Sequence, residues 1–290
     1  MAIAINKIDI IDDMLKCYWQ ILDCKDSVIE VNLSEATFIR TNFVAILGLV
    51  MEQKKMQGFE VSIIEPKLPK VKKPLVAIGF LENNIQRNAK MIHYQKIKLD
   101  EKDDFYLNFD TYFTQKARAH LVNVSERLFN ILIQKILELF SNAFRHSRSE
   151  VGIFCSGQLF PKDKKFSFVI VDGGVGIKTN VYEYIDKLVN GEKMKWLRKK
   201  IKLSGEQAMR WAVKQGNSTT GKGGLGLDLI RDFIIKNNGN LDIISNDARY
   251  SINNGKESYS SLEREFVGTL IASNIKIDED RFFKLKGEIC

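Results

Sequence analysis

The chain has 290 residues, with 44 Lys+Arg against 36 Asp+Glu, a formal net charge of +8. Hydrophobic residues make up 44% and charged residues 28%, which excludes a disordered chain and suggests two domains at roughly 100–200 residues each. The positive balance permits contact with phosphate or an acidic surface without requiring nucleic acid.

In chain order, Ile8 to Leu22 reads as a helix, and Val28-Ile-Glu-Val-Asn-Leu33 alternates like a strand with one wet face. Thr41 to Met56 has apolar residues at helical spacing, with Gly58 as its stop. Val61–Ile64 forms a second strand ended by Pro66, and Lys72 to Phe80 a short helix. This α-β-α-β-α order predicts a small α/β domain over residues 1–84. Residues 85–122 are polar and read as a connector with one strand, Ile92–Leu99. The second domain, 123–276, opens with a long helix ending near His146, its core face marked by Leu128, Phe129, Leu132, Ile136, Leu139, Phe140 and Ala143. Strands Val151–Gly157 and Lys165–Val171 follow as a hairpin around Pro161-Lys162-Asp163. Then come a Gly-rich turn, a Lys-rich helical stretch, a helix at Gly205–Val213 and a second Gly-rich loop. A helix at Leu225–Asn237 and strands Asn240–Ser245 and Val267–Ala272 complete an α+β sandwich, leaving 277–290 as a tail.

The longest apolar run, Phe43–Met51, falls well short of the roughly 20 residues a membrane helix needs. No basic segment leads into an apolar one at the N-terminus. No membrane association is expected, and the expected location is cytoplasmic. Cys17, Cys24, Cys155 and Cys290 form no CxxC and read as free thiols. His93, His120 and His146 are too scattered for a metal site.

Three segments can carry chemistry. Glu138, Asn142 and His146 lie four apart, a polar stripe bordering the helix's apolar face. That stripe reads as a solvated face, or as a carboxylate and an amide able to hold water and Mg²⁺. Phe168 to Val171 is an apolar strand running into Asp172-Gly173-Gly174-Val175-Gly176. It reads as a plain Asp-Gly turn, or as a carboxylate for an exocyclic amine beside a backbone that can approach a flat ligand. The third segment is Gly216-Asn-Ser218-Thr219-Thr-Gly221-Lys222-Gly223-Gly224-Leu225-Gly226-Leu227, a glycine-dense loop opening a helix and suited to phosphate. It is not a P-loop, because Gly223 stands where Ser/Thr is needed and a helix precedes it. Gly221-x-Gly223-x-x-Gly226 matches the dinucleotide fingerprint in letters, with Asp247 at a suitable distance, but lacks the preceding strand. A flexible surface loop is the remaining alternative.

Taken together and in this order, the segments resemble the GHKL ATPase superfamily, over about Asn123 to Ile275. That group includes gyrase B, the large heat-shock chaperone, histidine kinases, MutL and the anti-sigma serine kinases. Glu138-Leu-Phe-Ser-Asn142-Ala-Phe-Arg-His146 resembles its N box, Asp172–Ile177 its first glycine box, Gly221–Leu227 its lid and second glycine box, and Phe266-Val-Gly268-Thr269 its late Gly-Thr. The resemblance implies a Bergerat-type sandwich with a mixed sheet backed by helices, binding ATP and Mg²⁺. It gives Glu138 the general-base role and Asn142 the Mg²⁺, with Glu138 reaching the metal through water. Asp172 would take the adenine amine, with Gly174 and Gly176 at the ring and the Thr269 hydroxyl supporting Asp172. Lys222, Gly223, Gly224, Leu225 and Gly226 would hold the phosphates, with Ser218 and Thr219 in the lid.

Val31-Asn-Leu-Ser-Glu-Ala-Thr-Phe-Ile-Arg40-Thr41-Asn42-Phe43 resembles the STAS domain of anti-sigma factor antagonists, a strand leading into a helix. Gly79-Phe80-Leu81 fits that domain's last helix. Thr41 stands at the position of the phosphorylated Ser, but the usual flanking Asp and Gly are absent. Thr41 reads as a helix N-cap or as a phosphorylation site. Lys193–Lys202, with six basic residues in ten, reads as a solvated helix face or as a contact for an acidic partner or nucleic acid. The two resemblances imply a Mg·ATP-dependent regulatory ATPase or switch acting on a protein partner. A protein serine/threonine kinase of the anti-sigma type and an ATP-gated nucleic-acid clamp are the alternatives. A homodimer follows by analogy only.

Overall fold

The computed structural model describes residues 1–81, 91–109, 118, 123–160, 164–189, 203–214, 227–276 and 282–288. The chain is mixed α/β and divides into two compact units, Met1–His120 with Val151–Val171, and Leu121–Glu150 with Asp172–Cys290. Among the described residues no helix is long and apolar enough to cross a membrane. Cys17, Cys24 and Cys155 are free and buried.

The first unit begins with β1 (Ala2–Ala4), β2 (Lys7–Ile8), α1 (Ile11–Asp23), β3 (Val28–Asn32) and β4 (Phe38–Ile39). A 3₁₀ turn at Thr41–Phe43 leads into α2 (Val44–Met56), then β5 (Glu60–Ile64) and α3 (Pro69–Ala77). Strands β1, β3 and β5 form a parallel sheet with β3 in the middle. Parallel neighbours need a crossover, and α2 provides the one from β3 to β5. Gly58, at φ +87°, ends α2 as expected. Strands β1 and β2 were not foreseen: their apolar residues, Ile3 and Ile8, are too few to show a period.

The rest of this unit comprises β6 (Met91–Ile97), α4 (Lys102–Phe109), β7 (Ile153–Phe160) and β8, which runs Lys165–Asp172 and crosses into the second unit at its last residue. Strands β6, β7 and β8 lie side by side in that order. The expected turn at Pro161-Lys162-Asp163 lies outside the described residues. Helix α2 is apolar all round and buried accordingly. Val44, Ala45, Ile46, Leu47, Leu49 and Val50 have almost no exposure. On one flank the Tyr18 hydroxyl of α1 donates to Gln53 Oε1 at 3.3 Å. On the other, the Ala45 N–H donates to Ser156 Oγ on β7 at 3.3 Å, and Ser156 Oγ donates to the Asn42 carbonyl at 2.8 Å. Gly48 is required here because a Cβ would fall on the Tyr94 ring of β6.

Thr41 is neither an N-cap nor an exposed hydroxyl. It is 2% exposed, and its hydroxyl donates to Gln158 Oε1 on β7. No side chain caps the 3₁₀ turn or α2. The N-cap expectation fails because the hydroxyl finds a partner on a strand more than 100 residues later, and sequence spacing carries no trace of that strand.

The second unit contains α5 (Glu126–His146), α6 (Gly176–Val189), α7 (Gly205–Val213), α8 (Leu227–Lys236), β9 (Asn240–Asn253) and β10 (Lys256–Lys276). Helix α5 starts on Ser125, whose hydroxyl accepts from the Leu128 N–H at 3.2 Å. Strands β9 and β10 run far beyond the short segments expected. They pair antiparallel from Asn253↔Lys256 to Asn240↔Asn274. The turn between them is Asn254-Gly255, with φ +50° and +73°. An Asn-Gly pair adopting positive φ at both positions is the tight hairpin turn that matches strand twist, so the sequence did carry this signal. Helix α6 was also unforeseen, since glycines at its start masked its apolar positions, Ile177 and Val181.

Candidate functional site

Asp172 ends β8, is 4% exposed and folds its carboxylate back on the chain. Its Oδ1 accepts from the Gly174 N–H at 2.9 Å, an Asx turn that starts the glycine segment. The Thr269 backbone N–H also donates to the carboxylate. The resemblance had assigned that support to the Thr269 hydroxyl. Thr269 Oγ1 lies instead 3.2 Å from Ser245 Oγ. Burial pushes the Asp172 carboxyl up to about 7, against the lowering effect of the two N–H donors. An acid poised near neutrality at a strand end is a feature of binding and catalytic sites.

The glycine segment is half-buried and held from two directions. The residues following α5 hold its first half: the Gly173 N–H donates to Ser149 Oγ at 3.2 Å, and the Val175 N–H to the Ser147 carbonyl at 2.8 Å. A Cβ on Gly174 would coincide with that carbonyl. Gly176 has φ +77°, and the Asn246 side chain fills the space a Cβ would need. Asn180 Nδ2 donates to the carbonyls of His146 (3.0 Å) and Gly176 (2.9 Å), tying the end of α5 to the start of α6. Behind Asp172, strand β10 breaks register on either side of Phe266, and Gly268 sits in the second irregularity at φ +112°. Irregularities of this kind re-aim a strand beside a site. A Cβ on Gly268 would fall on the Asp172 carbonyl.

Gly268→Ala is therefore expected to be severe. It combines a backbone conformation essentially reserved for glycine with a clash against main chain, costing roughly 3 kcal/mol or more. Gly255→Ala, at a turn with no atom of the described residues within 4 Å of the new Cβ, should cost only about 1–2 kcal/mol. Differential scanning calorimetry of the two variants checks the order, and equal melting temperatures would contradict it.

Glu138 and Asn142 sit one turn apart on α5, the helix whose end holds the glycine segment. Glu138 Oε2 accepts from Lys135 Nζ at 2.9 Å. Asn142 Oδ1 accepts from Arg145 at 3.4 Å, while its Nδ2 is buried and has no hydrogen-bond partner among the described residues. The two ends of an amide are alike in shape, so the side chain can turn over in place. Turned over, Asn142 would present oxygen to that unfilled position, which is what a hard cation needs. Such an oxygen is compatible with Mg²⁺ at Asn142, at the loss of the contact with Arg145. At His146, burial and the nearby Arg145 and Arg148 disfavour the protonated form.

The structure brings together Asp172, Gly174, Gly176 and Thr269, and places Asn142 and Glu138 on the adjoining helix α5. Ser218, Thr219, Lys222, Gly223, Gly224, Leu225 and Gly226 lie outside the described residues, as does the basic stretch Lys193–Lys202. Ser147, Ser149, Ser245 and Asn246 were missed by sequence reasoning. They meet the glycine segment from positions about 25 to 70 residues away, and nothing in their local sequence marks them. The chain matches no protein-family model and no curated protein.

Proposed function

We propose that this protein binds Mg·ATP and works as a GHKL-type regulatory ATPase or switch, preceded by a STAS-like module and acting through contacts with another protein. The observation that supports this best is the buried Asp172 carboxylate, set at a strand end and fixed by N–H groups of Gly174 and Thr269. A carboxylate so held is an acceptor for an adenine amine, and the amine offsets the cost of ionising it out of water. Asn142 would hold Mg²⁺, which supplies charge stabilisation to the phosphates when bound. Glu138 would take a proton from water or from a substrate hydroxyl, and Lys135 beside it orients its carboxylate.

Phosphoryl transfer onto Thr41 is opposed by its burial and its bond to Gln158. A kinase reading therefore needs a separate acceptor protein. Titration with a fluorescent ATP analogue and Mg²⁺ tests the site. Binding is expected in the wild type and lost in Asp172→Asn, whose amide presents an N–H to the adenine amine. Undiminished binding in that variant would refute the assignment. Product analysis then separates ADP with free phosphate from ADP with phosphoprotein.

A further inference from the structure

The first N–H groups of a helix have no partners inside it. Helix α6 begins directly after Gly173-Gly174-Val175, residues with no side chain able to cap it. Its cap comes instead from β9, 68 residues later. The Ile177 N–H donates to Ser245 Oγ at 2.8 Å, and the Lys178 N–H to Asn246 Oδ1 at 3.1 Å. The same two side chains reach further. Asn246 Nδ2 donates to the Val175 carbonyl at 3.1 Å. Ser245 Oγ donates to the Gly268 carbonyl at 2.7 Å and lies 3.2 Å from Thr269 Oγ1. Thr269 is the residue whose N–H holds the Asp172 carboxylate.

Ser245 therefore joins the two segments that fix Asp172: the glycine turn in front of it and the Gly268-Thr269 segment behind it. Asn246, at φ +53°, fills the gap left by Gly176 and closes the same turn. Both side chains are buried, so water cannot readily replace them. The Ile177 and Lys178 amides, taken up this way, are not open to a phosphate.

We infer that Ser245, together with Asn246, is a positioning residue that sets the adenine selectivity of the site by fixing the angle at which Asp172 meets the base. This rests on the nucleotide reading above and deepens it. Adenine offers an amine to the carboxylate, whereas hypoxanthine offers a carbonyl oxygen that repels it. Selectivity for ATP over inosine triphosphate thus reports the placement of Asp172, and general loss of folded protein does not alter it.

The test is titration of wild type, Ser245→Ala and Ser245→Thr with fluorescent ATP, with unlabelled ATP and inosine triphosphate as competitors. Loss of the hydrogen bonds to Ile177 and Gly268 should cut the selectivity ratio about tenfold in Ser245→Ala, and Ser245→Thr, which keeps the hydroxyl, should restore it. Ser245→Ala with fewer binding sites but an unchanged ratio would reduce Ser245 to a structural role and overturn the inference while leaving the nucleotide reading intact. Failure of the wild type to bind either nucleotide would remove that reading, and the inference with it.

Discussion

Asp172→Asn should make the nucleotide-free protein more stable at about pH 8, although it should abolish ATP binding. In the unfolded chain this carboxyl titrates near 3.8, and in the folded protein near 7. Between those values the native state holds a proton that the unfolded state has released, so stability falls as pH rises from about 4 to about 7. Above that window the protein carries a buried carboxylate, at a cost on the order of 4 kcal/mol. Asparagine is neutral throughout but gives up one N–H acceptor, which returns about 1–2 kcal/mol. The net gain of about 2 kcal/mol corresponds to a rise in melting temperature of roughly 4–8 °C. Calorimetry of both proteins across this pH range checks the sign. At about pH 4 the variant should be the less stable, by about 1–2 kcal/mol for the lost acceptor, and the order should reverse toward neutrality; parallel curves would mean the carboxyl is not held protonated by the fold. A residue that destabilises the empty protein yet is needed by the loaded one is expected at a site kept for function.

Residues 1–84 expressed alone should fail to fold. Their composition and element order read as a small α/β domain, but α2 is buried on every side in the full chain. One side is provided by β6 and β7, through Tyr94, Ser156 and Gln158, all beyond residue 84. Removing those strands exposes several large aliphatic side chains of α2, each worth about 1.5–3 kcal/mol of burial. That total is comparable to the whole stability of an ordinary domain. Circular dichroism and amide exchange on the fragment measure this. A soluble, cooperatively melting fragment would show that β1, β3 and β5 with α1 and α2 suffice.

Both expectations turn on information of different kinds. The sequence of residues 123–160 and 164–172 carried α5 and the strands after it, because their apolar residues repeat at helix and strand periods. It also carried Asp172, Gly174 and Gly176 as a unit, because a strand running into Asp and glycines is a local pattern. The Asn254-Gly255 turn was equally legible, since that dipeptide satisfies two positive φ angles by itself.

What only the folded chain decided is which distant groups meet those local patterns. Ser245 and Asn246 cap a helix 68 residues earlier, Ser147 and Ser149 hold the glycine turn, and Gln158 takes the Thr41 hydroxyl. Periodicity reports the face an element buries, not what covers that face. A buried N–H or hydroxyl must find a partner wherever the topology brings one. The acid of Asp172 is the clearest instance: its identity and turn are written in five consecutive residues, while its rise to about 7 comes from the burial imposed around it by the fold.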